Sequence, residues 1–83
     1  MPVLVAQQKR EFKQFEKNMK WFQDNYEKLR ESFAGEFVAV NNNDVVMHNK
    51  DVRTLIKSLR DKYGDIGAFV VEFVSKEKFE LIL

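Results

Sequence analysis

The chain has one histidine, His48, and no cysteine. A lone imidazole needs partners before it can shuttle a proton or hold a metal. The nearest carboxylates in sequence are Asp44 and Asp51, and their spacing from His48 matches no metal motif. Asp44 suits a turn and Asp51 suits a helix cap. Without cysteine there is no thiolate nucleophile and no disulfide. Ser32, Ser58 and Ser75 lack the glycine-flanked elbow that exposes a nucleophilic serine. Gly35, Gly64 and Gly67 stand apart, so no glycine-rich loop cradles a phosphate. The expectation is a protein that is not an enzyme, with no catalytic residue, metal or cofactor. A small ligand pocket near His48 is the minor alternative.

Positive charge is the other candidate chemistry. Residues 50–64 carry five basic and two acidic side chains. Arg53, Lys57 and Arg60 recur at helical spacing beside an apolar stripe, an arrangement able to grip phosphates. The chain as a whole has 14 Lys and Arg against 13 Asp and Glu, a formal charge of +1. That balance gives no general attraction to nucleic acid or to an anionic membrane. A nucleic-acid-associated regulator using Arg53, Lys57 and Arg60 is therefore the alternative function rather than the leading one.

The elements that carry these residues can be read from periodicity. Phe12, Phe15, Met19, Phe22, Tyr26, Leu29 and Phe33 are spaced alternately three and four apart, a heptad seam that Val5 extends. The spacing predicts one helix from about Gln7 to Ala34, stopped by Gly35. At 1.5 Å per residue it would be about 42 Å long, while a compact domain of this size is only about 30 Å across. The helix must overhang its own domain or bend back near Asn18. An overhanging apolar seam needs cover, and a second copy of the chain is the simplest cover. Trp21 lies off the seam and is expected to pack against the sheet or a partner. Val5, Phe12, Phe15, Met19 and Trp21 form the predicted self-association interface.

After Gly35 the period changes to two. Glu36–Val40 and Val45–His48 read as strands joined by a turn through Asn41-Asn42-Asn43-Asp44. Val52, Leu55, Ile56, Leu59 and Tyr63 give the stripe of a second helix, opened by Asn49-Lys50-Asp51 and ended at Gly64. Ala68–Val74 reads as a third strand, and Phe79–Leu83 as a short final strand or an apolar tail. A crossover helix sets the third strand parallel to the second. The fold class is therefore α+β: a long N-terminal helix, then β-β-α-β with a three-stranded mixed sheet in the order 2-1-3. The first strand lies in the centre, antiparallel to both neighbours. Phe37 and Ala39 oppose Val38 and Val40; Val45 and Met47 oppose Val46 and His48; Phe69, Val71 and Phe73 oppose Val70, Glu72 and Val74. Both faces are apolar, so the long helix or another subunit must cover the face the second helix leaves bare.

With 83 residues, 45% of them hydrophobic and eight of them Phe, the chain is a single folded domain rather than a disordered segment. No apolar run approaches the ~20 residues of a membrane span, and Met1–Ala6 lacks the basic and long apolar regions of a signal peptide. A cytoplasmic location is expected. The ordered series Trp21-Phe22, Asn25-Tyr26-Glu27, Leu29, Gly35–Val40, Val45-Val46, His48, Lys50-Asp51, Leu55 and Leu59 resembles a family of small prokaryotic proteins catalogued as a domain of unknown function. Residues 19–83 carry the resemblance, and residues 1–18 form an N-terminal helical extension. Asn49 stands where the family pattern has a glycine. The resemblance implies the same order of elements and brings no activity, catalytic residue or cofactor with it. The function expected is a self-associating protein-interaction module, a homodimer or higher, which also binds another protein.

Overall fold

A computed structural model describes the backbone of residues 2–76 and the side chains of residues 12–76. The elements are α1 (Pro2–Asp24), α2 (Tyr26–Phe33), β1 (Glu36–Asn41), β2 (Asp44–Asn49), α3 (Val52–Tyr63) and β3 (Val70–Val74). The segment expected as a final strand, Phe79–Leu83, lies outside the described residues.

The predicted single helix is two helices, and the break is at Asn25 rather than Asn18. The Trp21 carbonyl accepts from both the Asn25 backbone N–H, at 3.0 Å, and the Asn25 Nδ2, at 2.9 Å. An asparagine side chain that bonds back to the preceding turn competes with regular helix geometry and bends it. The Leu29 N–H still reaches the Asn25 carbonyl at 2.9 Å, so the chain kinks without unravelling. The heptad pattern runs unbroken through this point because a kink of this kind leaves the apolar spacing untouched. Gly35, at φ +83°, then turns the chain into β1, with its N–H on the Val74 carbonyl.

β1 and β2 form a hairpin with a two-residue loop. Asn42 and Asn43 both take left-handed backbone angles, φ +52° and +60°, as a turn matched to strand twist demands. The pairing shifts between Ala39 and Val40, where β2 has one residue more than β1. That bulge overturns the expected alternation in β2. Val45 packs with the core on the α1–α2 side, whereas Val46 and Met47 both pack on the α3 side.

The strand order is β2-β1-β3, with β1 antiparallel to both neighbours. The sheet is antiparallel rather than mixed: β3 runs in the same direction as β2, but β1 lies between them, so no parallel pair is hydrogen-bonded. The bare face of the sheet is taken by the chain's own first two helices. Val38, Val40, Val70 and Val74 form one core with Phe22 and Leu29. Ala39 forms the other with Leu55 and Leu59 of α3. The result is three layers, helices on either side of the sheet. Extents of 46 × 32 × 20 Å and a radius of gyration of 14.2 Å exceed the ~12 Å of a compact domain this size. The upstream part of α1 projects.

Candidate functional site

Asn18 sets how α1 projects. Its side chain is fully buried, the one buried polar residue among those described. Nδ2 donates to Asn41 Oδ1 at 2.9 Å and to the Ala68 carbonyl at 2.8 Å. Oδ1 accepts from the Asn42 N–H at 3.2 Å and from Gln14 Nε2 at 3.0 Å. Every donor and acceptor of the amide is satisfied, so its burial carries no desolvation penalty without return. The four partners lie on α1, the hairpin tip and the approach to β3, which pins the helix to the sheet end at a defined angle.

That anchor divides the predicted self-association residues. Met19 and Trp21 are packed against the chain's own core. Phe12 is 62% exposed and Phe15 is 36% exposed, one turn apart on the same helix face. Val5 lies on α1, and its side chain falls outside the described set. The interface predicted from the seam thus keeps Phe12 and Phe15 free, while two of its members serve the fold.

The second surface is α3. Asp51 caps it, accepting from the Arg53 N–H at 3.2 Å and from Thr54 Oγ1 at 2.8 Å. Gly64 closes it, at φ +76° with its N–H on the Arg60 carbonyl. Between these ends Leu55 and Leu59 point into the core. Arg53, Lys57 and Arg60 are exposed and share a face, and none makes an ion pair with a described residue. Val52 and Ile56, expected in the core stripe, are half-buried and do not belong to the cluster beneath α3. With Asp61 these five line a shallow groove of about 380 Å³.

His48 meets neither Asp44 nor Asp51. Asp44 opens β2 and pairs with Asn41, while His48 pairs with Val38. Four strand residues put them roughly 13 Å apart. The His48 Nδ1 instead lies 2.9 Å from Glu36 Oε1, and its ring centroid is 4.7 Å from that of Phe33. Among the described residues no three His, Cys, Asp or Glu side chains are placed to hold a metal ion. Among them also, no helix is long and apolar enough to cross a membrane.

Two features escaped the sequence reading. The Asn18 network gave one faint signal, an asparagine beside the seam with an asparagine run at the hairpin. The other is on β3, where the Phe37 and Phe73 rings pack at 5.0 Å and Phe73 stays 46% exposed. α3 lies mainly over β2 and β1; Phe37 still packs against the cluster beneath α3, while Phe73 stays open.

No curated protein and no solved structure matches the chain. A family model does, described as a family of unknown function, DUF5678, and it matches residues 28–77. The match takes in most of α2, the whole sheet and α3, and starts downstream of α1. It covers more than half of the sequence, so the chain belongs to this family of unknown function.

Proposed function

We propose that the chain is a small protein-interaction module, without catalytic activity, which self-associates through the projecting part of α1 and works in the cytoplasm. One observation carries this reading: Phe12 and Phe15 are exposed on one helix face upstream of the Asn18 anchor, and neither ring is part of a core cluster. A phenylalanine buries about 150–250 Å² when covered, and a second α1 crossing the same seam would cover both. The sheet no longer supports this reading, because each of its faces already carries a helix of the same chain. A chain without cysteine is compatible with the cytoplasm.

Light scattering over a concentration series tests the assembly. The wild type is expected to be a dimer at tens of micromolar. The double variant Phe12→Ser/Phe15→Ser is expected to be a monomer with an unchanged melting temperature, since neither ring belongs to the core. A wild-type chain that stays monomeric throughout the series overturns the self-association reading.

A further inference from the structure

We propose that the outer face of α3 docks an acidic amphipathic helical segment of another protein. This deepens the protein-interaction reading and rests on it for the class of ligand. It is independent of self-association, because α1 and α3 lie on opposite faces of the sheet. α3 buries Leu55 and Leu59 against the sheet and leaves Val52 and Ile56 outside that cluster. These two aliphatics, one turn apart on the flank of the helix, are half-buried and keep part of their apolar surface open to solvent. They match the i, i+4 spacing with which one helix reads another.

Charge selects the partner. Arg53, Lys57 and Arg60 flank the two aliphatics and have no carboxylate partner among the described residues. Only Asp61 opposes them within the groove. A segment with Asp or Glu on either side of aliphatic anchors would pair all three cations while covering Val52 and Ile56. Nucleic acid fits less well. The floor between the cations is aliphatic and gives a base no aromatic to stack on.

The probe is a fluorescein-labelled peptide of about four helical turns, with leucines at i, i+4 among glutamates, followed by anisotropy and by backbone amide shifts. A second peptide of equal charge has serine for each leucine. Single-stranded and duplex DNA are titrated alongside, at low and physiological salt. The leucine peptide is expected to bind saturably and to move amides across residues 52–61. Arg53→Glu/Lys57→Glu and Ile56→Ser are each expected to weaken it by about tenfold or more, with circular dichroism showing both still folded. Phe12→Ser/Phe15→Ser is expected to bind unchanged, which separates this surface from the self-association surface. Absence of peptide binding overturns the proposal. So does equal binding of the serine peptide, or DNA binding tighter than the leucine peptide, which would make the face a phosphate site.

Discussion

At the scale of single residues, Asn18 and His48 exchange the importance their types suggest. Histidine is the chemically versatile side chain, yet His48 is half exposed and occupied with Glu36 and the Phe33 ring. A solvent-facing polar contact of this kind contributes under about 1 kcal/mol. His48→Ala is accordingly expected to lower stability by less than about 1 kcal/mol in urea unfolding. Asn18 is an ordinary amide, yet it joins α1, the hairpin and the approach to β3. Asn18→Ala leaves the Ala68 carbonyl and the Asn42 N–H without their partner. A polar group left unpaired out of water costs about 1–3 kcal/mol; Ala68 is half-buried, while Asn42 is exposed and its N–H can turn to solvent. Stability is expected to fall by about 2–4 kcal/mol in the same measurement, several times the loss at His48.

At the scale of elements, the hairpin and the kinked helix show what local chemistry decides. The asparagine run announced a turn, and the turn takes left-handed angles at both Asn42 and Asn43. Glycine reaches such angles without Cβ strain, and Asn-Gly is the preferred pair for this turn. Asn43→Gly is therefore expected to raise the melting temperature by a few degrees, a gain of about 0.5 kcal/mol. The caps of α3, Asp51 and Gly64, were equally plain, because a cap is a contact between neighbours in sequence. The kink at Asn25 and the bulge at Val46 were not. Each is a small local departure that hydrophobic spacing does not record. Phe22 belongs to α1 but is buried among Val38, Val40, Val70 and Val74. Phe22→Ala is expected to cost about 3–5 kcal/mol in calorimetry or urea unfolding, the range of large cavities in a core.

At the scale of the whole molecule, the question is which apolar surface one copy covers. Two helices take one face of the sheet and α3 takes the other, so the apolar residues of both faces are largely accounted for within the chain. Among the described residues, the large apolar side chains that stay open are peripheral: Phe12 and Phe15 on α1, Tyr63 at the end of α3, and Phe73 at the edge strand. Phe12→Ala is expected to weaken self-association by about tenfold or more in sedimentation velocity, while shifting the melting temperature by less than about 2 °C. An unchanged association state would show that the projecting seam is not the interface. The same variant at Phe22 is expected to do the reverse, losing fold rather than partner.

By itself the sequence determined the order of elements, the strand order, the hairpin turn and the caps of α3, along with the want of a cysteine or a second histidine. The turn, the caps and the run of elements depend on neighbours in the chain, the missing residue types on composition, and the strand order on the handedness of the crossover. The tertiary structure decided which apolar residues were spent on the fold. Met19 and Trp21 went to the core, Phe12 and Phe15 did not, and Val52 and Ile56 of the α3 stripe stayed outside it. That partition follows from where Asn18 fastens α1 and from how far α3 reaches across the sheet. Both are contacts between residues far apart in sequence, so no spacing within one helix encodes them.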